Sequence, residues 1–212
     1  AASTLVMAVL LAIPMGVLAA WKARTFIDRF VMGFSVLGFA VPGFLVGYLL
    51  IYVFAIELKW LPVQGYRPLS QGIDQTARSI ILPALALSMA YMALIARMTR
   101  ATMLDVLSQD YIRTAKAKGV ATLIVLLRHA LKNAAVPIIT VIGIGLTLLI
   151  SGVVITETVF NIPGLGRLTV DAILKRDYPI IQGLIILFAG AKVLVNLLID
   201  ISYVFFDPRI RY

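Results

Sequence analysis

Residues 105–137 read DVLSQDYIRTAKAKGVATLIVLLRHALKNAAVP. The stretch is basic and helix-forming, yet it lies between runs too apolar for water, which makes it a loop at a membrane surface. Its first half, LSQDYIRTAKAKG, places Asp110 early and Arg113, Lys116 and Lys118 late. That is the charge order a helix dipole favours. Gly119 then predicts a C-terminal cap, and TLIVLLRHALKN predicts a second short helix after it. A helix–Gly–helix element across a membrane surface presents a compact knob that fits a groove on a soluble partner. The alternative is an amphipathic helix resting on lipid.

The rest of the chain sets that loop in its medium. The 212 residues are 61% hydrophobic and 14% charged, with a mean hydropathy of +1.01. A soluble domain carries about 25% charged residues. A globule of this size cannot hide so much apolar surface, so lipid is the solvent for most of it. Five apolar segments, near 1–20, 31–57, 80–100, 134–156 and 180–204, approach or exceed the ~20 residues a spanning helix needs. They lack the polar alternation of a membrane barrel. Pro14, Pro42, Pro83 and Pro137 fall in or beside spans, which implies a bundle whose neighbours satisfy the freed carbonyls. The small residues Gly33, Ser35, Gly38, Gly43 and Gly47, and Gly143, Gly145, Thr147, Ser151 and Gly152, predict close helix approach or a subunit interface; Gly43 and Gly47 form a GxxxG pair.

Orientation follows from the basic residues. Lys22, Arg24 and Arg29, then Arg97, Arg100, Arg113, Lys116, Lys118, Arg128 and Lys132, with Arg209 and Arg211, place twelve on one side. The other side holds six, Lys59, Arg67, Arg78, Arg167, Lys175 and Arg176, nearly balanced by acids. The first side is expected to be cytoplasmic, with the C-terminus there. Five spans then put residue 1 outside, and a further helix is expected before it. Trp60, Tyr66 and Tyr178 mark the outer interface, and the Gly- and Pro-rich stretches 58–79 and 157–179 predict ordered turns at the outer mouth.

Candidates for bond-breaking chemistry are few. The absence of cysteine excludes disulfides and thiolate chemistry. His129, the single histidine, lies in the basic loop and reads as a surface or interface residue. No HExxH or GxSxG motif is present, and no GxxxxGK[ST], so ATP is expected to be held by another chain and no cofactor by this one. The net charge of +9 lies between apolar spans, which fits a membrane's positive inner side better than nucleic acid. Lys192, inside the last span, and Asp200, near its inner end, read either as pathway-lining charges or as groups neutralised by a neighbouring helix.

YIRTAKAKGV followed by VLLRHALKNAAVP resembles the coupling segment of the membrane permease subunits of binding-protein-dependent ABC importers, in the dipeptide/oligopeptide branch. FAVPGFLVGYLLIYVFAIELKWLPVQGY at 39–66, ETVFNIPGLGRLTVDAILKRDYPIIQG at 157–183 and DPRIRY at 207–212 are similar to the same branch. The resemblance covers essentially residues 1–212. It implies an all-α integral membrane fold of the type I importer permease class, with five spans here and a sixth before them. In it, residues 105–133 form the coupling element. Asp110, Tyr111, Arg113, Thr114, Ala115, Lys116, Lys118 and Gly119 would dock on an ATPase, with Arg113, Thr114 and Ala115 in the three EAA positions. Arg113 replaces the acid of the general motif, and Pro137 stands farther from Gly119 than usual, as is typical of this branch. The implied partners are a second homologous permease, two ATPase subunits holding ATP and Mg, an extracytoplasmic binding protein and a bacterial or archaeal inner membrane. Pro163–Arg167, PGLGR, would lie near the binding protein or a gate. The cargo stays open between peptides, nickel chelates and oligosaccharides, and a passive channel or secondary transporter is the rival class.

Overall fold

The computed structural model describes residues 2–206, without the side chains at 147, 148, 150, 151, 200 and 202–206. Thr147, Ser151, Asp200, Arg209, Arg211 and the DPRIRY end lie outside what is described. Among the described residues the chain is all-helical, without strands. The helices are α1 (Ala2–Trp21), α2 (Phe26–Ala40), α3 (Gly43–Leu50), α4 (Ile73–Leu107), α5 (Asp110–Ala117), α6 (Thr122–Ile124), α7 (Lys132–Val159), α8 (Leu165–Lys175) and α9 (Tyr178–Phe206). Two π-helical stretches, Ile51–Glu57 and Val125–Leu131, prolong α3 and join α6 to α7. A 3-10 turn covers Leu69–Gln71.

Ala2–Trp21, Ile73–Leu107, Thr122–Leu146 and Tyr178–Ile199 are long and apolar enough to cross a membrane. A fifth span is reached if Phe26–Ala40 and Gly43–Glu57 count as one broken span. The continuous span expected over 31–57 is therefore interrupted. Pro42 is the cause, because it disfavours helix at Val41 and lacks a donor. It caps α3 instead, its carbonyl accepting the N–H groups of Leu45 and Val46 at 2.9 and 3.2 Å. Pro14, Pro83 and Pro137 stay inside α1, α4 and α7.

The arm after Gly119 also departs from the expectation. No separate short helix ends at Asn133: α6, the π stretch and α7 run on from Thr122 to Val159. Nothing between Lys132 and Pro137 stops a helix, and a single proline is accommodated within one. The expected element 105–133 thus shares Asp105 to Leu107 with α4 and its second half with a span.

The contacts divide the described chain into two units, residues 2–7, 41–89 and 146–196, and residues 8–40, 90–145 and 197–206. The first is built on Val46, Ile51, Ala55, Leu82, Ala86, Val159 and Phe160. Here the connection after Glu57 is tied down: the Gln64 side-chain amide donates to the Val159 carbonyl at 3.2 Å, and the Gly65 N–H to that of Phe160 at 2.9 Å. The second is built on Val17, Ala20, Met103, Ile112, Val125, Leu126, Ala130, Ala134 and Ile138. The small-residue expectation holds in part. Gly47 lies against the Phe160 ring and Gly143 against Ile199, whereas Gly33 and Gly43 face open space, so 43 and 47 do not act as a pair.

Candidate functional site

The α5 segment stands in the second unit. α4 ends at Leu107, and Gln109 turns extended to begin α5. At the other end the backbone makes both bonds of a Schellman cap: Gly119 N–H donates to the Lys116 carbonyl at 3.0 Å, and Val120 N–H to that of Ala115 at 3.2 Å. Such a cap needs a left-handed residue at Gly119, whose φ is +77°. The cap that the sequence predicted is present.

One residue anchors the helix. Ile112 is 0% exposed and packs into the cluster of Val17, Met103, Val125 and Ala130, with Ala115 and Val120 half-buried against the same cluster. The Asn133 amide donates to the Tyr111 hydroxyl at 3.0 Å, a second tie to the following helix. Asp110, Tyr111, Arg113, Thr114, Lys116, Lys118 and Gly119 are all exposed. Asp110 and Arg113 pair across one turn at 3.3 Å; at such exposure the pair adds little stability. Lys116 and Lys118 have no ion-pair partner among the described residues. Seven of the eight expected docking residues are thus exposed, and Ala115 turns inward. A rigid basic face on a short helix is suited to docking and to passing on a displacement.

The sequence reading missed an ion pair in the same unit. Asp28, only 4% exposed, accepts from Nη2 of Arg100 at 2.8 Å, from Nε of the same guanidinium, and from the Arg24 N–H at 2.8 Å. The fork of Arg100 on one carboxylate joins α2 to α4. Breaking a buried pair of this kind leaves a stranded charge. The available signal was a lone acid in the basic loop 21–30 and an arginine closing an apolar run.

In the first unit the expected turn at 157–179 contains α8. PGLGR is the start of that helix. Gly164 caps it without a side chain, and Glu157 supplies the missing acceptor: its Oε2 takes the Arg167 N–H at 3.0 Å. Gly166 permits this approach, since a Cβ there would sit 2.6 Å from Val154 Cα. Arg167 also hydrogen-bonds Asn161 and reaches Asp171 at 3.9 Å. An open cavity of about 510 Å³ lies along Pro163, Leu165, Leu168 and Asp171. Among the described residues no cluster of three or more His, Cys, Asp or Glu could hold a metal.

An all-helical chain with four or five candidate spans belongs to the class of helical multi-pass membrane proteins. Residues 12–212 match the family described as binding-protein-dependent transport system inner membrane component, and the chain belongs to that family. It is 55% identical over 209 residues to a probable peptide ABC transporter permease protein of Sinorhizobium fredii, covering 99% of this chain and 67% of that one. It is 44% identical over 211 residues to the glutathione transport system permease protein of Escherichia coli, covering 99% and 66%. The chain spans about two thirds of the length of these relatives.

Proposed function

We propose that this chain is a non-catalytic permease subunit of an ATP-driven importer. It forms half of a pathway for di- or oligopeptides delivered by an extracytoplasmic binding protein. The other half comes from a second homologous permease in the same inner membrane. Two ATPase subunits hold the ATP and Mg, and this chain holds no cofactor of its own. The C-terminus and α5 face the cytoplasm, as the basic residues favour. The names of the two relatives, one for peptides and one for glutathione, favour a peptide cargo over nickel chelates or oligosaccharides.

The observation that carries this reading is the exposed face of α5 held on a single buried anchor. When the ATPases close, a partner gripping Thr114, Lys116 and Lys118 would move Ile112 and, through it, the helices that Ile112 packs against. Two global states biased by nucleotide suffice for transport on such a lever. The test uses the full-length chain in its assembled transporter. Thr114→Trp alters the outward surface without touching the anchor, and it is expected to reduce ATPase co-purification and peptide uptake together. If both stay at wild-type level, α5 is not the docking site. Ala115→Asp is a poorer test, because Ala115 packs inward and its loss would loosen α5 itself.

A further inference from the structure

α9 is the least covered of the spans: 6% of its most apolar stretch is buried within the chain, against 56% for α4. Lys192 lies midway along Tyr178–Phe206, with about 21 Å of helix on either side. A bilayer's hydrocarbon core is about 30 Å thick, so an ammonium at its centre is about 15 Å from either interface. A four-carbon stem does not reach that far. Lys192 is exposed on the chain and has no partner among the described residues. No described side chain neutralises it, and facing lipid would be costly.

The neighbours on the helix say what it faces. Between 181 and 199 the polar side chains are Gln182, Lys192 and Asn196, all exposed. At 3.6 residues per turn they fall within an arc of about 80°. Leu187 and Leu194, also exposed, lie on the opposite side of the helix by the same register. One side is wholly apolar and suits lipid; the polar arc, which also carries the exposed Ile185, is the side that suits water. Among the described side chains, the acids of the spans, Asp28, Glu57, Asp74, Asp105 and Glu157, lie near helix ends, so a second copy of this chain would bring none of them level with Lys192.

We infer that the Gln182–Lys192–Asn196 stripe lines the water-filled pathway and that Lys192 receives a carboxylate of the passing peptide. This rests on the permease reading above. A cation at mid-membrane attracts the cargo's anionic group where water is scarce, and the flanking amides hydrogen-bond its peptide groups. The charge draws free-acid peptides to the midpoint and gives C-terminally amidated ones no such hold.

The chain contains no cysteine, which makes the test clean. The full transporter, with cysteine-free partners, is reconstituted in proteoliposomes and supplied with saturating loaded binding protein. Lys192→Met is expected to lower the maximal uptake of dialanine about tenfold, the loss of one charged hydrogen bond, and to leave dialanine amide unchanged. Lys192→Arg retains the preference. Lys192→Cys should react with aminoethyl methanethiosulfonate, which restores an ammonium and with it free-acid uptake, while Leu187→Cys stays unlabelled. Equal loss for acid and amide, or no loss, overturns the carboxylate role. An unreactive Cys at 192, or loss of the second permease from the Lys192→Met complex, overturns the pathway placement in favour of a subunit contact. A wild-type assembly that takes up no peptide, with Cys at 192 still reactive, sinks the peptide reading and leaves the aqueous stripe standing.

Discussion

Two short helices, α5 and α8, solve the same problem by different means. Each is amphipathic, each lies between longer helices, and each is closed by a residue of positive φ. α5 uses Gly119 at φ +77°, where glycine is at ease, while α8 uses Arg176 at φ 57°, where a side chain is strained. α5 is fixed from beneath by Ile112 and leaves its polar face free. α8 is fixed at its start, by the Glu157 carboxylate on the Arg167 N–H and by the tight fit of Gly166 on Val154. A helix held by one apolar anchor and a regular cap can be pushed as a body. One whose first turn is locked to its predecessor moves with it.

The largest blow to this contrast is Ile112→Ala. It removes a fully buried anchor and should cost about 3 kcal/mol of local stability. Hydrogen exchange of the 110–117 amides in the purified transporter would then rise sharply, and unchanged protection would mean that α5 is held elsewhere. Gly166→Ala comes next, at about 2 kcal/mol, because its Cβ would meet backbone that cannot step aside. A lower thermal midpoint is expected, and an unaltered one would refute the tight fit.

Gly119→Val should cost about 1–2 kcal/mol by forcing a branched residue into the left-handed region. The chain should still insert, but uptake should fall relative to ATP hydrolysis; ATP-driven uptake at the wild-type rate would remove the cap from the coupling argument. Arg176→Gly is the mirror experiment and should stabilise α8 by about 1 kcal/mol, read as a raised midpoint. Smallest is Glu157→Gln, which keeps an acceptor but loses the charge at the helix start, for about 0.5 kcal/mol. A loss as large as that of Gly166→Ala would show that Glu157 does more than cap.

Local features were the legible ones. The Gly119 cap, the dipole-ordered charges of α5 and the chain-wide apolar runs depend on neighbours a few residues apart, and the sequence displays those neighbours directly. Its errors lay where an apolar run changes character. The Pro42 break was hidden because 31–57 is uniformly hydrophobic. The run from Thr122 into α7 was hidden because polar residues at 128–133 suggested an end that no helix breaker enforces. Glu157 could not be assigned to α8, since Gly164 as a bare cap gives no hint that an acceptor arrives from the preceding helix. Ala115 and Thr114 are adjacent in one motif, yet only α5's seating on Met103 and Val125 shows that one points in and the other out.

By itself the sequence determined the medium, the helical class and the position of the exposed element between spans. Hydropathy reports transfer out of water, and that is decided residue by residue. It is silent on what replaces the water, because lipid tails and a protein interior are equally apolar to a leucine. α4 and α9 are nearly alike in hydropathy, yet 56% of the most apolar stretch of one and 6% of that of the other are buried. Long-range packing made that choice, together with the pairing of Asp28 with Arg100 and the exposure of Lys192 on a helix its own chain leaves uncovered.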